Sequence, residues 1–282
     1  MDRWAAGFDE GVNAVTAVRL ATKYVEKPWG RTDLPEAFPD GRGAKIGEVW
    51  FDGPDGEHPP LLVKYIFTSE RLSIQVHPND AQGQERGLPG GKSECWLILD
   101  AEPDARLGMG TLEPLDGEAL RAASLSGDIE TLMDWKPVKA GDFFYIPAGT
   151  VHAIGAGVTL VEVQQNVDVT YRLYDYGRPR ELHLEDGIAV SIAQPYEHPA
   201  RNIANVSEEI LLRRGDAPFA LELRTLGAGA HPVGGDGPMW FIPLSGDGLL
   251  DGRPWSAGEC WLLTDPTQLS VAAETRTLIA TL

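Results

Sequence analysis

The chain has 282 residues, 43% hydrophobic and 23% charged, and its 24 basic against 42 acidic side chains give a formal net charge of -18. That length supports one large or two modest domains with real cores, in a composition ordinary for a soluble globular protein. The acidic balance, with no basic patch visible, excludes nucleic acid and anionic membrane surfaces as partners, since both would be repelled.

Residues 1–20 show neither the positive start nor the apolar core of a signal peptide, and no run reaches membrane-spanning length, so a cytoplasmic location is expected. Residues 1–22 find no pairing partner in the pattern and read as a loosely held N-terminal arm. The 32 glycines and 21 prolines punctuate short apolar runs, as many short strands with tight turns require. Strands are predicted over 46–51, 60–68, 72–77, 95–99, 142–147, 158–165, 169–174, 219–226, 239–244, 259–264 and 268–272. Helical patterning is confined to 115–121 and 129–135, a short insertion, and to 186–192. An all-β fold of sandwich or jelly-roll type follows.

The strands repeat weakly. Ala140-Gly141-Asp142-Phe143-Phe144-Tyr145-Ile146 is echoed by Ala257-Gly258-Glu259-Cys260-Trp261-Leu262-Leu263, and the run around Trp96 by the run around Trp240. Two jelly rolls are expected, over 23–198 and 199–282, with an extended linker near 195–207. The two cysteines, Cys95 and Cys260, both sit beside tryptophan in strand-like runs and read as buried free thiols.

Four residues with metal-binding side chains lie in the first half. In Leu72-Ser73-Ile74-Gln75-Val76-His77, a period of two places Ser73, Gln75 and His77 on one face. Glu94 stands at the mouth of the apolar strand that follows Gly91-Lys92-Ser93. His152 closes a turn, an aromatic strand and a Pro147-Ala148-Gly149 corner. A lone strand histidine is usually structural, so the weight falls on the combination. Mixed nitrogen and oxygen donors from separate strands, with coordination positions left open, suit a catalytic zinc or a similar divalent ion. In the second half Pro238 aligns with Glu94 and no histidine follows the Gly258 strand, so the C-terminal roll is expected to be metal-free and structural. If residues 168–174 are extended, Asp168, Thr170 and Arg172 share one face, as a structural ion pair or a catalytic one.

The same residues fall in a series of motifs that resembles the type I phosphomannose isomerases, in their short bacterial branch of the cupin superfamily. The series is Pro28-Trp29-Gly30, Ser73-Ile74-Gln75-Val76-His77-Pro78-Asn79-Asp80, Gly91-Lys92-Ser93-Glu94-Cys95-Trp96, Pro147-Ala148-Gly149-Thr150-Val151-His152-Ala153, Glu162-Val163-Gln164-Gln165-Asn166, Thr170-Tyr171-Arg172-Leu173-Tyr174-Asp175-Tyr176 and Arg180-Glu181-Leu182-His183. The resemblance implies a double jelly roll and one Zn2+ per chain, held by Gln75, His77, Glu94 and His152. It implies reversible conversion of mannose 6-phosphate to fructose 6-phosphate through a cis-enediol, with Lys92, Arg172 and Asp168 as catalytic residues and Asp168 or Lys92 as the base. No Gly-rich phosphate loop opens a helix, so Lys64, Arg178 and Arg180, with Trp29, are the candidates for substrate and phosphate contact. The expected partner is the sugar phosphate alone, on a monomer or homodimer. The competing readings are a cupin dioxygenase or other cupin enzyme, an isomerase of unphosphorylated sugars, and a non-catalytic sugar-binding cupin.

Overall fold

The computed structural model describes residues 17–41, 43–53, 56–235 and 237–282. Most of the expected N-terminal arm, residues 1–16, lies outside the described residues. In chain order the first part contains β1 (Ala17–Arg19), β2 (Ala21–Arg31), β3 (Ile46–Asp52), β4 (Leu61–Phe67), β5 (Ile74–Val76), α1 (Asp80–Glu85), β6 (Glu94–Ala101) and β7 (Arg106–Thr111). It continues through α2 (Gly117–Ser126), α3 (Ile129–Leu132), β8 (Met133–Pro137), β9 (Asp142–Ile146), β10 (His152–Ile154), β11 (Val158–Gln165), β12 (Tyr171–Tyr174), α4 (Leu184–Val190) and β13 (Arg201–Asn202). The rest is strand: β14 (Glu208–Leu212), β15 (Ala220–Leu226), β16 (Gly229–Val233), β17 (Met239–Pro243), β18 (Asp247–Leu250), β19 (Arg253–Ser256), β20 (Trp261–Leu263), β21 (Thr267–Val271) and β22 (Thr275–Thr281).

These strands build the double jelly roll of the cupin fold. A seven-stranded sheet, β13-β9-β6-β11-β4-β3-β2, faces a five-stranded one, β12-β5-β10-β7-β8. A six-stranded sheet, β1-β20-β17-β22-β15-β14, and a four-stranded one, β16-β21-β18-β19, form the second pair. Alternation along each strand decides which core a residue joins. On β11, Val161 and Val163 enter the cluster that also holds Trp240, Ile242 and Leu278 of the six-stranded sheet. Leu160 faces the other way, packing with Trp96, Ile98, Leu107 and Met109 between the first two sheets. The insertion helices cover the outer face of the five-stranded sheet through Leu120, Ile129, Ile74, Val76 and Val151. No described helix is long and apolar enough to cross a membrane. Cys95 and Cys260 are buried free thiols, as their sequence neighbours suggested.

The structure departs from the sequence reading at several points. Residues 17–19, placed in the loose arm, pair with β20 through Ala17↔Leu263 and Arg19↔Trp261. The helix expected over 129–135 stops at Leu132, because Met133 turns extended and the following residues pair with β7. Tertiary pairing there overrides a helical pattern too short to stand alone. The stretch near 195–207 is not simply a linker, since Arg201 and Asn202 pair with Phe143 and Asp142. The unforeseen α1 is started by a capping box, with the Asn79 side chain accepting from Gln82 N–H and the Gln82 side chain from Asn79 N–H.

Trp240 has no exposed surface and lies in the core shared by the seven- and six-stranded sheets. Trp240→Ala is expected to cost about 3–5 kcal/mol, read as a lower urea midpoint at an unchanged slope. A loss below about 1 kcal/mol, the size of a tolerated hydrophobic swap, would show that the two sheets do not rely on this contact.

Candidate metal centre

Gln75 and His152 are direct cross-strand partners in the five-stranded sheet, and Arg172 is the partner of Gln75 on the other side. Their side chains therefore form one row, pointing at the seven-stranded sheet. His77 follows β5 at once and is tied down where the Gly149 N–H donates to its carbonyl at 2.8 Å. Gly149 adopts φ +90 to turn this corner, a conformation that disfavours any residue with a Cβ. On the opposite sheet Glu94 opens β6. Gly91 lets that strand start close by, since a Cβ there would lie 2.4 Å from the Asn79 backbone.

The result is a buried donor set. His77 Nε2 lies 3.5 Å from Glu94 Oε2, and His152 Nε2 lies 3.4 Å from Glu94 Oε1, with all three residues 1% exposed. One ligand atom from each of His77, Glu94 and His152 falls within 4.8 Å of the others. Burial, reinforced by the Lys92 ammonium and the His152 ring, holds the His77 pKa well below its ordinary value. Burial lowers that of His152 as well, with Glu94 opposing. Both rings are thus neutral at pH 7, the form that can bind a metal. The His152 Nδ1 sits 2.9 Å from the Thr150 carbonyl, which fixes the tautomer with Nδ1–H donating and Nε2 free to bind.

Gln75 lies beside the set, its assigned amide orientation putting Nε2 toward His152 Nε2 at 3.3 Å, while Oε1 accepts from Ser73 Oγ at 3.1 Å. Turning the carboxamide over presents Oε1 to the centre and offers Ser73 an N–H to accept. Two imidazole nitrogens, a carboxylate and an amide oxygen are a donor set that fits a divalent ion of the zinc type. Lys92 is next to it, with Nζ 2.8 Å from Glu94 Oε2 and 3.0 Å from His77 Nε2.

A second ionic element joins Lys64, a phosphate candidate from sequence, to Glu162, which had no role there. On the inner face of the seven-stranded sheet Glu162 stands opposite Lys64 on β4 and Trp96 on β6. Lys64 Nζ lies 3.1 Å from Glu162 Oε1, and Trp96 Nε1 donates to Glu162 Oε2 at 2.9 Å. Burial alone would raise the Glu162 pKa, but Lys64 and then Lys92 outweigh it and keep the carboxyl below its usual range. For Lys64 burial is likewise outweighed, by Glu162, Glu48 and Glu94, and its pKa rises. One strand further, Lys27 Nζ lies 3.5 Å from Glu48 Oε1, and Trp50 Nε1 donates to Glu48 Oε2 at 2.5 Å.

Two adjoining cavities open on this wall. One, of about 90 Å3, meets Gln75, Glu162, Trp29 and Arg180; the other, of about 280 Å3, meets Gln164, Asn166, Asp168 and His183; both are lined by Lys27, Lys64, Lys92 and Arg172. Arg172 thus shares the smaller cavity with Gln75 and Lys92, with burial and then Arg180 lowering its pKa from the ordinary arginine value. Asp168 is exposed, sits before β12 rather than on it, and makes no ion pair with Arg172 among the described residues, so the shared strand face expected for the two does not form. Lys64 is committed to Glu162. Arg180 is held by Asp175 through two contacts of 2.6 Å. Arg178 pairs with the same carboxylate at 2.9 Å and lines neither cavity.

Replacing Glu162 by Gln leaves the buried Lys64 charge without its carboxylate. Glu162→Gln is expected to lose about 3–5 kcal/mol by chemical denaturation, and Glu162→Gln with Lys64→Met to recover most of it. Because the folded-state pKa of Glu162 is depressed, its contribution is present above the unfolded-state value and disappears as pH falls through the folded one. The gap between parent and variant should therefore close below about pH 4, and a gap that persists there would rule out the ion pair as its source.

No family model matches the chain. It is 44% identical over 143 residues to the mannose-6-phosphate isomerase of Streptococcus mutans, covering 48% of this chain and 45% of that protein. It is 43% identical over 163 residues to mannose-6-phosphate isomerase ManA of Bacillus subtilis, covering 53% and 51%. The chain spans about half the length of the curated relatives it matches. The crystal structure of the Bacillus subtilis mannose 6-phosphate isomerase superposes with a TM-score of 0.75 at 26% identity, over 95% of this chain and 100% of that one. A zinc-bound mannose 6-phosphate isomerase shares the fold at a TM-score of 0.67 and 16% identity, over 94% of this chain and 99% of its own. The resemblance carried by the motifs is therefore matched in sequence by mannose-6-phosphate isomerases over half the chain and in fold by phosphomannose isomerases over nearly all of it.

Proposed function

We propose that this chain is a zinc-dependent mannose-6-phosphate isomerase that interconverts mannose 6-phosphate and fructose 6-phosphate. The observation that carries the reading is the buried convergence of His77, Glu94 and His152, with Gln75 beside them and Lys92 in contact, Gln75 and Lys92 in turn lining the smaller of the two cationic cavities. The metal role belongs on this reading to Gln75, His77, Glu94 and His152, within residues 23–198. Residues 199–282 form a metal-free roll that supports the first through their common core.

A zinc ion held by these four side chains would supply positive charge to the sugar oxygens that become anionic as the α proton leaves. The chain's own residues do the rest. Lys92 and Arg172 face the same cavity and add charge opposite the developing enediolate. Lys92 is also the better placed of the two expected bases, since it touches the donor set while Asp168 stands at the outer cavity only. The indole of Trp29, with Ile66, Leu72 and Ile154, forms the apolar part of the inner wall and keeps water from the reacting carbons. For the phosphate, Lys64 and Arg180 are already paired with carboxylates and Arg178 lies off the cavity. With Arg172 engaged at the enediolate, Lys27, whose carboxylate contact is long, is the cation free to meet it.

A coupled assay on chelator-treated protein should show conversion of mannose 6-phosphate abolished and then restored by zinc. Without activity in either state, and with zinc shown bound, the phosphomannose reading falls and unphosphorylated sugars come next. His152→Ala is expected to weaken zinc binding by more than the 10–100-fold typical of an outer-shell change, measured against a chromophoric chelator. Lys92→Met should leave zinc affinity within about tenfold while lowering kcat by about 100-fold or more, the range of a lost acid–base group; a kcat near that of the parent would remove Lys92 from proton transfer.

A further inference from the structure

We infer that Gln164 recognises a hydroxyl group of the sugar chain, so that the larger cavity is the subsite for the substrate carbons beyond the reacting pair. The inference rests on the sugar-phosphate reading above. Gln164 is 1% exposed, lies on the inner face of β11 and is the direct cross-strand partner of Glu94. It is therefore one strand, about 4.8 Å, from Glu94, and it lines the larger cavity but not the smaller.

Its amide orientation is fixed by chemistry. The Gln164 Nε2 donates to the Gln165 carbonyl at 2.8 Å, a position an amide oxygen could not occupy without two acceptors meeting. Oε1 is thereby turned elsewhere, and it is buried with no hydrogen-bond partner. A buried acceptor in that condition is costly in the free protein, and because Gln164 lines the larger cavity, a donor entering there would satisfy it on a small turn of the side chain. An amide oxygen repels phosphate, and the nearby cations Lys64 and Lys92 already face carboxylates. The donor that fits is neutral and hydroxylic. With C1 and C2 at the metal donors, a neighbour one strand away meets the hydroxyl on C3 or C4 of an open-chain hexose phosphate.

The test uses zinc-loaded protein and unreactive open-chain ligands: a hexitol 6-phosphate of manno configuration and its 3-deoxy and 4-deoxy forms, with binding followed by calorimetry. In the parent protein, one of the two deoxy ligands should bind about tenfold more weakly than the full polyol, the scale of a neutral hydrogen bond. In Gln164→Met, and in Gln164→Leu as a second apolar replacement, that difference should vanish while the full polyol still binds. A parent protein that binds all three ligands equally overturns the inference without needing either variant, as do variants that keep the tenfold difference. Failure of the sugar-phosphate reading looks different, since the parent protein would then neither bind the polyol nor turn over mannose 6-phosphate.

Discussion

The centre depends on strand register in the seven-stranded sheet. With β11 paired to β4 at Glu162↔Lys64 and to β6 at Gln164↔Glu94, the inner face carries a carboxylate, an ammonium, an amide and the candidate ligand in adjoining positions. A slip of one residue would send Val161 and Val163 inward and Glu162 and Gln164 into the apolar core against Trp240. That alternative buries charge among hydrocarbon, so the apolar core and the polar site enforce the same register from opposite faces of the sheet. The Lys64 charge ties the sheet together, because its compensation requires β11, β3 and β6 to hold Glu162, Glu48 and Glu94 where they are.

The same face changes character along its length. Ile98 and Trp96 lead to Glu94 on β6, and Val158 and Leu160 lead to Glu162 and Gln164 on β11. One end of the barrel is thus a plug and the other a site. The plug fixes how far the two sheets stand apart, and with that the distance between Glu94 on one sheet and Gln75 and His152 on the other. The second roll supplies no described metal-binding cluster, yet its six-stranded sheet covers the outer face of the sheet that carries Glu94. Without that cover Val49, Val63, Leu97 and Val161 would face water.

The ligand candidates were legible because each depends on local pattern: a period of two for Gln75 and His77, a strand mouth for Glu94, a glycine corner for His152. The ionic ladder was less so. Glu162 and Lys64 are about a hundred residues apart and belong together only through a register that one sequence does not display. Asp168 and Arg172 show the opposite failure, a plausible local pattern that the chain does not follow. Residues 167–170 turn through short-range backbone bonds instead of extending, and β12 is irregular between Arg172 and Tyr174. β2 escaped notice for a related reason, since Pro28 and four charged side chains hide an edge strand whose pairing with β3 is twice interrupted.

Charge was the clearest bulk signal, and its meaning is local. At -18 the whole chain repels an anion, but Lys27, Lys64, Lys92 and Arg172 gather on the walls of two adjoining cavities. Burial alone would discharge Lys64, and Glu162, Glu48 and Glu94 together keep it ionised. Arg172 is left without such a partner, flanked by a second guanidinium on Arg180 that makes its own charge less favourable. An anion at this position, such as the proposed enediolate, would relieve that repulsion, so one under-compensated arginine can draw negative charge into an acidic protein against its net charge.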